Sequence, residues 1–134
     1  MMRFISAEYL AKKDNIIARF LNRVINGCQI NPRIPDDTQL QHCGFGVIIG
    51  YNVKIGKNVN IYQGVRLGGN LNNEMPIIED NVTLCSNVMI FGRVRIGKGS
   101  IIGAGSFVNK DIPPNSLVYN KKRLVIKKIK SKNK

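Results

Sequence analysis

The side chains able to do chemistry are few. His42 is the only histidine among 134 residues, and it sits in Leu40-Gln41-His42-Cys43-Gly44-Phe45-Gly46-Val47-Ile48-Ile49-Gly50. An imidazole titrates near neutrality, so it can take a proton from an alcohol or thiol and return it within one turnover. A lone histidine is more often structural than catalytic, and residue type alone leaves both readings open. The adjacent Cys43 suggests a second scheme, a thiolate nucleophile with His42 as its base. That scheme is disfavoured because neighbouring residues of an extended chain point to opposite faces. Cys28, Cys43 and Cys85 show no C-x-x-C spacing, and their odd number fits reduced thiols better than a disulfide frame. With one histidine, few ligands remain for a metal site inside one subunit, and none is expected.

Charge adds a second kind of chemistry. The chain carries 21 Lys+Arg against 8 Asp+Glu, a formal net charge of +13. Phosphate groups, acidic glycans, a membrane face and nucleic acid are the partners such a balance admits. Eight of the basic residues fall between Lys121 and Lys134. That tail lacks interleaved aromatics and any recognised nucleic-acid motif, so nucleic acid is the least favoured partner. A length of 134 residues, 43% of them hydrophobic, fits one globular domain and excludes disordered or collagen-like chains. Apolar runs such as Val47-Ile48-Ile49 are far too short to cross a bilayer, and residues 1–5 lack the apolar stretch of a secretory signal. A cytoplasmic protein is expected, with the inner membrane face a site of peripheral association.

Two elements must position these groups. Residues 7–26 read as one amphipathic helix, with Leu10, Ile16, Ile17, Phe20, Leu21 and Val24 on one side and Lys12, Lys13, Arg19 and Arg23 mostly on the other. It is expected to cap a core rather than lie on a membrane. From residue 49 the period becomes six: Ile49, Ile55, Ile61 and Leu67, then after one break Ile78, Leu84, Ile90, Ile96, Ile102 and Val108. A second, mostly β-branched column follows four residues later: Val53, Val59, Val65, Leu71, Val82, Val88, Val94, Ser100, Ser106 and Ile112. Just before it stand Asn52, Asn58, Gly64, Asn70, Asn81, Asn87, Arg93, Gly99, Gly105 and Asp111, nine of the ten being types that tolerate a left-handed backbone. Each hexad then forms a short strand and a corner, and stacked coils pair the strands in parallel about 4.8 Å apart. The break from Leu67 to Leu84 spans 17 residues, which reads as one coil with a deletion whose missing side is replaced by a loop at 70–77. On that count Gly69, Ser86 and Ala104 stack at one corner as a groove of small side chains.

The hexads resemble the [LIV]-[GAED]-x-x-[STAV]-x repeat of hexapeptide-repeat acyltransferases, over residues 28–125. The resemblance implies an all-β fold, a left-handed parallel β-helix of about five coils with a short N-terminal α-helix. Its parts would be a helical segment at 1–27, the acyltransferase β-helix at 28–120 and a basic tail at 121–134. The His42 stretch, followed by Ile61-Tyr62-Gln63-Gly64-Val65-Arg66-Leu67-Gly68-Gly69, looks like the serine acetyltransferase branch. That likeness implies His42 as general base in direct transfer from acetyl-CoA, with no metal, and backbone N–H groups near Gly68-Gly69 to stabilise the oxyanion. It also implies Gly69, Ser86 and Ala104 along the pantetheine arm, Lys121, Lys122 and Arg123 near the CoA phosphates, and a homotrimer with active sites between subunits. The chain departs from the serine enzymes where Met75 precedes Pro76, a position usually holding a second histidine, and where Gln29-Ile30-Asn31-Pro32 replaces a carboxylate that orients the base. Gln29, Asn31 or a backbone carbonyl would then set the imidazole tautomer. Gln29, Asn31, Gln41 and Glu74 are the candidate acceptor-binding residues, and Asp36 and Asp37 are acids without a role. The short form looks nearer to the polysaccharide O-acetyltransferases of the colanic-acid and capsule type, which implies a sugar hydroxyl as acceptor. Serine O-acetylation is the alternative, and a non-catalytic trimeric scaffold or polyanion binder a second one.

Overall fold

A computed structural model describes residues 7–13 and 15–121. Lys122 and Arg123, and the rest of the basic tail, lie outside the described residues. The expected single helix is two: α1 at Ala7–Ala11 and α2 at Ile16–Asn26. Asn15 makes the break, because its extended backbone (φ −145°) and its Oδ1, accepting from the Ala18 N–H at 2.7 Å, start a new helix there. At the far end Gly27 takes a left-handed φ of 61° and returns its N–H to the Asn22 carbonyl. Capping of the core falls to Leu10 and Ala11 of α1 and to the Ala18 and Asn22 side of α2, all buried. Of the apolar arc that periodicity assigned to the core, Leu10 is buried and Leu21 half-buried, whereas Ile16, Ile17, Phe20 and Val24 are exposed.

Thirteen strands follow among the described residues. They are β1 (Gln29–Ile30), β2 (Gln39–Leu40), β3 (Ile48–Ile49), β4 (Lys54–Ile55), β5 (Asn60–Ile61), β6 (Arg66–Gly68) and β7 (Ile77–Ile78). Then come β8 (Thr83–Leu84), β9 (Met89–Phe91), β10 (Arg95–Ile96), β11 (Ile101–Ile102), β12 (Phe107–Val108) and β13 (Leu117–Val118). Every ladder is parallel, and the strands sort into three sheets: β1-β3-β6-β9-β12, β4-β7-β10, and β2-β5-β8-β11-β13. The chain visits the first, second and third face in turn, which makes a three-sided prism of about five coils, a left-handed β-helix.

Period six is legible in the burial. Ile49, Ile61, Leu67, Ile78, Leu84, Ile90, Ile96, Ile102 and Val108 are buried along the axis, and Ile55 is half-buried. Seven of the expected corner positions, Asn52, Asn58, Gly64, Asn81, Asn87, Gly99 and Gly105, have positive φ; Asn70, Arg93 and Asp111 do not. Gly64 is required twice over, since a Cβ there would also collide with the Asn87 carboxamide.

The loop at 70–77 corrects the coil count. Arg66 pairs with Met89, 23 residues on, whereas Met89 to Phe107 is 18. The segment is therefore an insertion of about five residues at the corner between β6 and β7, not a deletion. Both neighbouring sides survive, with Ile77 paired to Lys54 and Arg95. Leu71 leaves the inner column and stands fully exposed; the buried Pro76 takes its place between Val53 and Val94.

Candidate active site

The turn that carries His42 follows β2 directly. Gln41–Gly44 forms a tight 3-10 turn in which His42 (φ 51°), Cys43 (φ 58°) and Gly44 (φ 66°) are all left-handed. Two non-glycine residues in that region cost roughly 1–2 kcal/mol each, so the surroundings must hold them. They do so from beneath. The buried Cys28 thiol shares its one proton between the Gly44 carbonyl at 2.6 Å and the Asn26 carbonyl at 3.1 Å, and the Gly64 N–H donates to the Phe45 carbonyl at 2.9 Å. Burial pushes the Cys28 thiol up, over smaller opposing effects of backbone N–H groups at Val47 and Gly46, which keeps it a donor.

The His42 ring is exposed, tilted by 54° against the Tyr62 ring with centroids 6.1 Å apart. Register places its neighbours. Leu40 pairs with Ile61, and Asn60 and Ile101 both pair with Thr83, so His42, Gln63, Ser86 and Ala104 form one column at the corner between the third and first faces. The Asn87 N–H bonds the Gln63 carbonyl and the Gly105 N–H bonds the Ser86 carbonyl along the same corner. Gln63 Oε1 is buried without a hydrogen-bond partner, and a Cβ built on Gly105 meets nothing within 4 Å. An exposed base, an unspent acceptor and an open strip of small side chains thus share one edge of the prism.

Ser86 and Ala104 sit where the groove was expected, but Gly69 does not. It stands with Gly68 at the corner between the first and second faces, where Met75 packs on Gly69 and Phe91 on Gly68. The misplacement follows from reading the insertion as a deletion. Gln63 is the residue that completes the column, and neither it nor Tyr62 was singled out; the 23-residue spacing from Gln63 to Ser86 is their signal. His42 and Cys43 stand on a left-handed turn rather than an extended chain, so they are not held on opposite faces; Cys43 is exposed and no hydrogen bond joins it to His42 among the described residues. Among the described residues no hydrogen bond joins Gln29 or Asn31 to the imidazole. They line a cavity of about 270 Å³ with Arg19, Phe20, Arg23 and Tyr51. Gln41 donates from Nε2 to Gln39 Oε1. The Glu74 carboxylate accepts from Asn70 Nδ2 at 2.8 Å and lies 3.9 Å from Arg93, inside the inserted loop. Asp36 and Asp37 are exposed, and Lys121 is exposed at the end of the described chain. No cluster of three metal-ligating side chains occurs among the described residues.

Residues 75–110 match the family model "Bacterial transferase hexapeptide (six repeats)". The chain is 42% identical over 93 residues to a serine acetyltransferase of Buchnera aphidicola, covering 66% of this chain and 36% of that one. It is 33% identical over 122 residues to a serine acetyltransferase of Bacillus pumilus, covering 85% and 56%. The crystal structure of Neisseria gonorrhoeae serine acetyltransferase in complex with serine superposes with a TM-score of 0.67 at 33% identity, over 78% of this chain and 45% of that one. The chain therefore spans between about a third and just over half of these relatives. They correct the expected polysaccharide acceptor: the relatives at 42% and 33% identity are serine acetyltransferases. A sugar enzyme that matches beside them is a galactoside O-acetyltransferase of Lactococcus lactis, 39% identical over 74% of this chain and 48% of that one. Repeat, prism and relatives agree that the chain is a hexapeptide-repeat protein of left-handed β-helix architecture, the kind that the bacterial transferases use.

Proposed function

We propose that the chain transfers the acetyl group of acetyl-CoA to the side-chain hydroxyl of serine, with His42 as general base. One observation carries the reading: the lone imidazole stands exposed on a strained turn, above an open strip of small side chains, in a chain most of whose matched relatives are serine acetyltransferases. A serine hydroxyl keeps its proton at neutral pH, so its attack needs a base at the attacking oxygen. His42 takes that proton as the oxygen bonds to the thioester carbon. The carbon–sulfur bond then breaks, and the imidazolium returns the proton to the departing thiolate. Charge and protons balance without a covalent enzyme intermediate or a metal.

The donor's pantetheine arm fits along Ser86, Ala104 and Gly105, with Lys121, Lys122 and Arg123 meeting its phosphates. The oxyanion donors at Gly68-Gly69 lie at a different corner from His42 within one chain. We therefore include a homotrimer in the proposal, in which that corner of one protomer faces His42 of the next. Met75 packs on Gly50 and Gly69, so the charges of the amino acid fall to other groups, of which Gln41 and Glu74 are the candidates.

The test is release of CoA thiol by the full chain with acetyl-CoA and serine, beside a panel of free sugars and nucleotide sugars. Serine-dependent release is expected, and His42→Gln should lower kcat about 10²–10⁴-fold with an unchanged melting temperature, because the ring is exposed. Greater release with a sugar than with serine, or full activity in His42→Gln, would overturn the reading.

A further inference from the structure

A cleft of about 270 Å³ lies between α2 and the prism. The buried Ile30 of β1 is its floor, and alternation along the strand turns Gln29 and Asn31 outward on either side. The helix supplies two rows, Ile16 with Phe20 and Arg19 with Arg23, each pair one turn apart, while Ala18 and Asn22 are the residues it buries. Tyr51, beyond β3, completes the wall. Phe20 and Tyr51 are 64% and 60% exposed, so both rings have surface left for an occupant to bury. No carboxylate lines this cleft, and α2 carries no acidic residue. Other cavities among the described residues differ in this respect: Lys98 shares one with Glu79, Arg33 a second with Asp36, and Arg95 a third with Asp111.

We propose that the cleft binds a small organic anion, a carboxylate or phosphate monoester carrying an apolar body of about one ring. Each part of the cleft matches a part of that ligand. The Arg23 guanidinium is a planar fork that carboxylate or phosphate oxygens meet two at a time, and Arg19 stands one turn before it. The Gln29 and Asn31 amides can donate to the same oxygens, and Ile16, Phe20 and Tyr51 give the apolar body a place out of water. Size sets the upper limit. Sites for drug-sized ligands run from roughly 300 to 1,000 Å³, so this cleft takes a single ring and does not enclose acetyl-CoA. Since α2 ends at Gly27, one residue ahead of the Cys28 thiol that braces the His42 turn, an occupant tying α2 to β1 steadies that turn as well. The inference is independent of the acceptor chemistry.

The test is calorimetric titration and thermal melting of the full chain with phenylacetate and with phenyl phosphate. Phenylacetamide serves as the neutral match, and inorganic phosphate as the anion without a ring. Saturable binding of at least one organic anion is expected, with a melting temperature that rises with its concentration. Phenylacetamide and inorganic phosphate should bind at least about tenfold more weakly, and the head group that binds assigns the ligand to carboxylates or to phosphate esters. Arg23→Gln and Tyr51→Ala, both at exposed positions, should each weaken binding at least about tenfold without changing acetyl transfer in probe-free solution. No saturable binding of either organic anion overturns the proposal. So does equal binding of phenylacetamide, or wild-type affinity in both variants. Displacement of the probe by serine or acetyl-CoA overturns it by assigning the cleft to the transfer reaction, and a change of particle mass in Arg23→Gln by assigning it to a contact between copies.

Discussion

At the scale of single residues, the left-handed turn at His42 and Cys43 is held by what lies under it. Cys28 joins the end of α2 to the Gly44 carbonyl, so a buried thiol with no part in the chemistry fixes the backbone one step from Cys43. Burial raises its pKa in the folded chain, which gives a signed expectation. Below the ordinary thiol range, near pH 8.5, both folded and unfolded chains keep the proton and this group contributes no pH dependence. Above it the unfolded chain releases its proton first, and stability falls as pH rises. Thermal melts between neutral and alkaline pH should show that fall in wild type and less of it in Cys28→Ala, whose melting temperature should already be lower at neutral pH. At residue level the sequence already puts Ser86 and Ala104 at one corner, because small side chains are visible as letters, and it marks His42 as the one imidazole; the register adds that the three share a column. A reading by letters misses Tyr62 and Gln63 because their relevance exists only through register, and it misjudges the geometry of Cys43 because nothing in Gln41-His42-Cys43 advertises a left-handed turn.

At the scale of elements, the hexads were readable because burial repeats with the fold's own period. The step from Leu67 to Ile78 was not: an insertion of about five residues and a deletion of one shift a six-residue pattern to the same phase. Only the pairing of Arg66 with Met89 separates the two. The same phase argument explains Leu71, which keeps the column's spacing but not its burial. Substitutions should divide accordingly. Ile90→Ala opens a cavity on the prism axis and should cost about 2–5 kcal/mol, whereas Leu71→Ala should change stability by less than about 0.5 kcal/mol; urea titration of both variants measures the contrast. The helical segment was misread for a different reason. Its apolar period continues through residues 7–26, and the capping signal at Asn15, which was present, has to override that period for α1 and α2 to separate.

At the scale of the whole molecule, one prism is a complete fold but an open site. The first face presents Ile48, Phe91 and Phe107 to solvent, with the Phe91 and Phe107 rings stacked at 6.3 Å, and the third presents Ile101 and Leu117. Such surfaces suit the proposed trimer. Light scattering should give three times the 15.0 kDa chain mass, and Phe107→Glu should shift the particle toward monomer and lower acetyl transfer while leaving the circular dichroism spectrum unchanged. An unchanged mass in that variant would exclude the first face from the interface. A coil pairs only with the coils above and below it, so β6 and β7 absorb about five additional residues without disturbing the ladders on either side. Loop length at that edge is uncoupled from the rest of the architecture, and selection can reshape what the corner accepts while inheriting the scaffold intact.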